Sequence, residues 1–389
     1  MNLSLKSALK AITPWGWGVG SVGASSLGLG LVNSWTELVT IGVTCLTVFL
    51  LALSWSFGRV GHQVRLGMCT RRVTVGDRAV GELVVANPTN RTLPGTAIEL
   101  SVGSSIASFA VGRVAAGEEH LEPFAITTSR RGIVTVGPVR AVRGDPLGLV
   151  TCRQAWSDST LLYIHPRTVR ISASLLGFLR DVEGGATSDF SSSDVSFHAL
   201  RDYVAGDDRR SIHWRTTAHV GKLMVRQFEE IRRAHLLIIL DLDAAAWASA
   251  DEFEEGVSVV ASLTVASIRE SRDVSIMTQE GPLNVSSSTR ALDSLAGVEL
   301  VPHGERLLDL AGRASLEVPQ ASVVAVVTGS RTSVAQVSGG LARLPLDTTS
   351  FGVRVNNDGV LEHRVVGGFT VLSVPTLNDF ARGMRRIFG

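Results

Sequence analysis

The densest set of side chains able to do chemistry lies in residues 206–229, GDDRRSIHWRTTAHVGKLMVRQFE. Asp207, Asp208, His213 and His219 are residue types that move protons or bind a metal, and Arg209 and Arg210 are types that grip an anionic group. Two readings follow. In one, the cluster binds a partner or an anion, or works as a metal-assisted hydrolase through Asp207, Asp208, His213 and His219. In the other, Arg–Asp pairs make bidentate, geometrically specific bonds and Trp214 packs with them, so that the stretch joins two domains. The second reading is preferred, because motif residues are only hypotheses without their structural context; against the hydrolase in particular, the chain carries no nucleophile motif such as G-x-S-x-G to complete a catalytic set.

The elements around the cluster follow from pattern. Asp207 or Asp208 suits a helix cap, residues 209–218 a short helix, and Gly221 its exit. After it, Leu223, Val225 and Gln227 alternate with Met224, Arg226 and Phe228, as in a strand. Before it, FHALRDY (197–203) reads as a short helical turn, and DVEGGATSDFSSSD (181–194) has the composition of a mobile loop. Downstream, HLLIILDLD (235–243) is a nearly continuous apolar run ending in two acids, as a buried parallel strand would be. A helix over Asp251–Ser271, a strand at Val274–Met277, a helix over 303–314, a strand at Ser322–Thr328 and a helix over Val334–Leu344 follow. Such alternation predicts a parallel sheet flanked by helices. At the end, Phe380, Met384 and Ile387 recur at helical spacing beside Arg382, Arg385 and Arg386. That pattern suits a packed terminal helix, with a membrane-surface helix as the alternative.

Upstream the patterns change. Residues 70–165 hold short alternating runs, such as TAIELSV, VTVGPVRAV and LLYIHP, separated by turn signals at Asn87-Pro88, Pro94-Gly95 and Asp145-Pro146. These predict an antiparallel β-sandwich-like domain of structural character. Residues 37–57 are almost wholly apolar and long enough to span a bilayer, with Trp35 and Trp55 near the ends. Residues 12–32 lack charge and are rich in Gly and Ser, which suits a first span packed closely on the second. A cleaved secretory signal with Lys6 and Lys10 as its basic head is the alternative. Lys6 and Lys10 on one side and Arg59, Arg65, Arg71 and Arg72 on the other place both ends, and the bulk of the chain, on the cytoplasmic side of the membrane. With 37 Lys and Arg against 36 Asp and Glu, the net charge of +1 argues against nucleic-acid binding. Three scattered cysteines form no zinc or disulfide framework.

Tyr203, Gly206, Asp207, Asp208, Arg210, Ile212, Trp214, Gly221, Leu223, Val225, Arg226 and Phe228 together resemble the signature of the bacterial domain of unknown function 58 family. Arg131-Gly132 and Asp145-Pro146-Leu147-Gly148-Leu149 resemble the segment those proteins carry upstream. The family commonly has Asp where this chain has His213 and Arg where it has His219, so a role needing those charges does not carry over. The resemblance implies a von Willebrand factor type A-like domain, in which an Asp-x-Ser-x-Ser loop helps to hold a divalent metal. Here that loop reads Asp241-Leu242-Asp243-Ala244-Ala245, with both hydroxyls gone; Asp241, Asp243 and Thr328 are the oxygen donors that remain. The architecture expected is therefore multidomain: a transmembrane hairpin (1–60), a β-sandwich-like domain (61–170), a linker with the family motif (171–233) and a von Willebrand factor type A-like α/β domain (234–389). The resemblance also implies a scaffold or adaptor working alongside a MoxR-type AAA+ ATPase in assembling envelope or secreted complexes. An outward-facing adhesion-type module is a third reading, and it requires the opposite topology.

Overall fold

The computed structural model describes residues 11–56, 63–171, 195–204, 207–230, 235–346 and 348–388. Expectations placed on Lys6, Lys10, Arg59, the 181–194 segment and Gly206 lie outside the described residues. The chain divides into two compact units, Met1–Ile164 and His165–Gly389.

The first unit opens with α1 (Pro14–Asn33) and α2 (Thr36–Ser56). Thr13 caps α1, its side chain accepting from the Gly16 N–H, and the left-handed Ser34 turns the chain back. The two helices run antiparallel in backbone contact: a Cβ at Gly30 would lie 2.7 Å from the Val39 nitrogen, and one at Gly42 would lie 2.6 Å from the Leu27 nitrogen. Small residues make that approach possible. Thr36–Ser54, with mean hydropathy 2.0, is the only helical stretch among the described residues long and apolar enough to cross a membrane; the Gly- and Ser-rich α1 is helical but falls short of that composition.

Nine strands follow: β1 (Gln63–Met68), β2 (Arg72–Thr74), β3 (Arg78–Ala86), β4 (Thr96–Val102), β5 (Ser105–Val111), β6 (Glu119–Thr127), β7 (Gly132–Gly144), β8 (Thr151–Ala155) and β9 (Thr160–His165). They form one sheet in the order β1-β3-β6 and another in the order β2-β9-β7-β4-β5, with β8 on β7. Alternation sends one face of each strand inward. Leu83 and Val85 from the first sheet meet Ile98, Leu100, Val136, Val139 and Leu162 from the second in one fully buried core. The Asp145–Leu149 turn between β7 and β8 is held by its aspartate, whose two oxygens accept from the Leu147 N–H (2.9 Å) and the Val150 N–H (2.6 Å). This turn seats the start of α1. The Thr13 hydroxyl donates to the carbonyls of Gly148 (2.8 Å) and Leu149 (3.0 Å), and Ile12 bridges Val150.

In the second unit, β10 (Val195–Asp202) and β11 (Met224–Glu230) form a two-stranded antiparallel ribbon around a 3-10 turn (Arg209–Ser211) and α3 (Trp214–Val220). FHALRDY is therefore mostly strand, not a helical turn. Its ladder to β11 overrides local pattern, and the register slips between Phe197 and Ala199, which breaks the strand's two-residue period. Then come β12 (Leu236–Leu240), α4 (Ala250–Arg269), β13 (Val274–Thr278), β14 (Gly281–Pro282), α5 (Ser288–Ala296), α6 (Leu307–Glu317), β15 (Val323–Thr328), α7 (Val334–Leu341), β16 (Thr349–Val355), β17 (Glu362–Val366), β18 (Phe369–Val374) and α8 (Leu377–Phe388).

The sheet order is β14-β13-β12-β15-β16-β18-β17, with β13, β12, β15, β16 and β18 parallel and the two edges antiparallel. Every residue of β12 and β15 is buried, because helices cover both faces. Leu236, Ile238 and Leu240 point to the side packed by Phe253, Leu295, Phe380 and Met384. Leu237 and Ile239 point to the other, packed by Leu310, Ala314, Val337 and Leu341. The terminal helix is thus part of the core, as its apolar spacing predicts. Residues 165–171 also pack here: Ile171 is fully buried in this core, and the Val169 N–H donates to the Ser262 hydroxyl (3.0 Å).

Candidate functional site

The motif on the β10–β11 ribbon spends its polar groups on its own turns. Asp207 takes both terminal nitrogens of Arg201 in a bidentate pair at 2.7 Å and accepts the Val204 N–H at 2.9 Å. These bonds hold the Asp207 carboxyl below its ordinary range, the Arg201 pair foremost. Asp208 accepts the Arg210 N–H (2.9 Å) and so caps the 3-10 turn. His213 caps α3, its Nδ1 lying 2.8 Å from the Thr216 hydroxyl and facing the Thr216 N–H. Gly221 ends that helix at φ 75°, in the left-handed region where a glycine costs nothing. The Tyr203 N–H donates to the Leu223 carbonyl (2.9 Å), extending the ribbon at the end from which the motif loops out. Arg226 and Phe228 lie within β11.

Trp214 does not pack as expected. It is 65% exposed, and Val204, Val220 and Leu223 are also exposed apolar side chains of this ribbon. The reason is local: Trp214 is the first residue of a two-turn helix with no buried residue of its own; Ile212, just before it, is the side chain that turns inward, and Thr217 ties the helix to β11 by accepting the Met224 N–H. Arg210 and His219 are exposed as well. The aspartates are consumed as caps and as an ion pair, so the cluster builds a shaped surface.

A second candidate lies at the carboxyl ends of β12 and β15. Here Asp241 is 2% exposed, and its Oδ2 accepts the Thr328 hydroxyl (2.8 Å). Its Oδ1 accepts the Gln279 side-chain amide (2.7 Å) and the Asp243 N–H (3.1 Å). Burial raises the Asp241 carboxyl above its usual range, and the three hydrogen bonds only partly offset it. Asp243 accepts the Ala245 N–H (3.1 Å) and caps the short turn Ala244–Ala246. The structure thus brings Asp241 and Thr328 together, with Asp243 beside them.

These residues do not fit the divalent cation that the resemblance implies. A carboxylate offers about four acceptor directions, and three of those on Asp241 are already filled by protein donors. The two lost hydroxyl positions are Asp243, turned to its own loop, and Ala245, which has no oxygen to offer. Gln279, whose amide fills one acceptor direction of Asp241, has no motif to mark it out; it reaches Asp241 only because β13 sets its carboxyl end beside β12.

A cavity of about 650 Å³ opens against this loop, lined among others by Asp241, Asp243, Arg306, Leu307, Arg331 and Gln336. Its walls are held from behind. Glu252, 2% exposed, accepts the Ser330 N–H and hydroxyl, and Arg354 donates to the carbonyls of Ser330 and Thr332.

A model of the family described as "Protein of unknown function DUF58" matches residues 199–285, a span that takes in most of the ribbon, β12 and the Asp241 loop. The chain is 29% identical over 166 residues to "Uncharacterized protein YeaD" of Bacillus subtilis (strain 168), covering 41% of this chain and 35% of that protein. It therefore spans about a third of the length of that curated relative. Among solved structures, the CARDB domain of PF1109 from Pyrococcus furiosus matches 27% of this chain and 94% of its own at 16% identity and a TM-score of 0.21. The C-terminal domain of wzt matches 28% of this chain and 75% of its own at 10% identity and a TM-score of 0.22. Neither likeness bears on fold or function at such scores.

Proposed function

We propose that the chain is a membrane-anchored adaptor without catalysis of its own, presenting the β10–β11 ribbon to a MoxR-type AAA+ ATPase. In this reading α1 and α2 form a hairpin in a bacterial plasma membrane, and the two folded units lie on the cytoplasmic side, where the flanking basic residues would hold them. Residues 234–389 of the second unit form a von Willebrand factor type A-like domain. Its strand order, with an antiparallel edge beside β13 and parallel strands beyond, supports that assignment. The assemblies served are those of the cell envelope or of secreted complexes.

One observation carries the adaptor reading. The motif's carboxylates are engaged locally while its tryptophan stands 65% exposed, which is the arrangement of a recognition surface. The test is capture of the ATPase by the full-length chain in detergent, with a non-hydrolysable nucleotide present, compared with Trp214→Ala. An exposed anchor of this type is worth about 2 kcal/mol or more, so capture should fall at least roughly tenfold with little change in thermal stability. Equal capture by both proteins, or no AAA+ ATPase recovered by either, overturns the proposal.

A further inference from the structure

The order of the parallel strands reverses at one place. From β12 the chain steps outward to β13, then returns across β12 to β15 and continues the other way through β16 and β18. Crevices outside the carboxyl ends of strands at such a switch point are where open α/β sheets bind ligands. The 650 Å³ cavity sits there, touching residues that follow β12 and β15.

Its polar lining is unevenly spent. Asp241 is filled by three donors, and Asp243 caps its own turn. The Thr332 hydroxyl pairs with Thr328 (2.9 Å), and the Gln336 amide oxygen accepts from Ser333 in a capping box. Arg306 and Arg331 are different. Both are exposed on the cavity wall, and neither guanidinium has a hydrogen-bond or ion-pair partner among the described residues. Each lies on a fixed frame. Gly304 is pressed against Asp243 so closely that a Cβ there would lie 2.9 Å from that residue's own Cβ, and the Arg331 N–H is tied to the Ala246 carbonyl (3.1 Å). Arg306 also precedes α6 without any side-chain cap, so the positive end of that helix adds to the field in the cavity.

We propose that this cavity binds a carboxylate directly on Arg306 and Arg331, with no bridging metal ion. The two guanidiniums are the cationic donors left unspent in this lining, and the guanidinium fork matches a carboxylate in two parallel bonds. A single negative charge suits the site better than two, because Asp241 and Asp243 stand at its floor. The aliphatic walls at Leu307, Leu308 and Ala335 accept the carbon chain that carries the group. The carboxylate comes either from an acidic side chain of a partner protein or from a free small acid. The inference stands apart from the ribbon's role, since it uses none of the same residues.

The test is residue-resolved arginine labelling with phenylglyoxal, read by mass spectrometry on the full-length chain in detergent. Arg306 and Arg331 should label faster than Arg313 and Arg354, whose guanidiniums are engaged. The probes are a neutral peptide with one central Glu, its Gln counterpart, glutarate and inorganic phosphate, each with and without EDTA. Protection of both arginines by the Glu peptide alone assigns a protein partner, and protection by glutarate alone assigns a small acid; protection by both supports the shared chemistry. Arg306→Gln should weaken protection of Arg331 about tenfold, the scale of losing one charge-assisted partner. Protection by none of the probes, by the Gln peptide equally, by phosphate in preference, only with a divalent cation that EDTA removes, or unchanged in Arg306→Gln overturns the proposal.

Discussion

At the scale of single residues, most side chains that look chemical in the sequence turn out to be geometric. His213 stands at the N-cap of α3, a position where aspartate is among the best residues, which accounts for the Asp that the resembling family places there. The sequence shows that substitution but not its meaning, because the cap exists only once α3 and β11 have formed. Asp241 is the opposite case: its place at the end of an apolar run was legible, and its partners were not. Burial raises its carboxyl, so ionisation is disfavoured in the folded chain. The stability it contributes is full below the ordinary carboxylate pKa of about 3.9 and is lost as pH rises through the higher folded value. Asp241→Asn removes that loss, since an amide oxygen can still accept from Asp243 and Gln279 while Thr328 reverses its bond. Unfolding followed against pH in detergent should show the variant more stable at neutral pH, with its advantage gone in acid; a constant difference across the range contradicts this.

At the scale of elements, the continuous apolar runs of β12 and β15 and the Phe380–Met384 spacing of α8 were readable because burial on two faces leaves no polar positions to confuse the period. β10 was not, because its strand character is conferred by β11, more than twenty residues downstream. Arg306 and Arg331 carry no motif at all and come to line one cavity only through the return of the chain across β12. The loop that presents Arg331 depends on Gly329, where a Cβ would lie 2.4 Å from the Ala246 carbonyl oxygen and 2.7 Å from a Glu252 oxygen. Neither neighbour can retreat, since Glu252 is itself bonded to Ser330. Gly329→Ala should therefore destabilise the second unit by about 1–3 kcal/mol, the usual cost of overpacking. Denaturant unfolding checks the value, and hydrogen exchange should place the loosening at residues 244–252 and 329–332.

At the scale of the molecule, the helix pair and the β-sheets of the first unit are one body because Thr13 and Ile12 are bound to the Gly148–Val150 turn. The upstream Asp145-Pro146-Leu147-Gly148-Leu149 segment, a turn signal and part of the resemblance in the sequence, is the seat of α1. Thr13→Val keeps the backbone bond to Leu149 but loses the hydroxyl bonds and the cap. It should lower the unfolding free energy of this unit by about 1–2 kcal/mol, read as a shift in its thermal transition that leaves the second unit's transition in place. The same contact sets a clock. Thr13 and Gly148 are 135 positions apart, and a ribosome adding about 5–20 residues each second makes the later one roughly 7 to 27 seconds after the earlier. During that interval the first turn of α1 exists without its seat, so whatever handles the emerging chain meets the helix pair before the sheet that will clasp it.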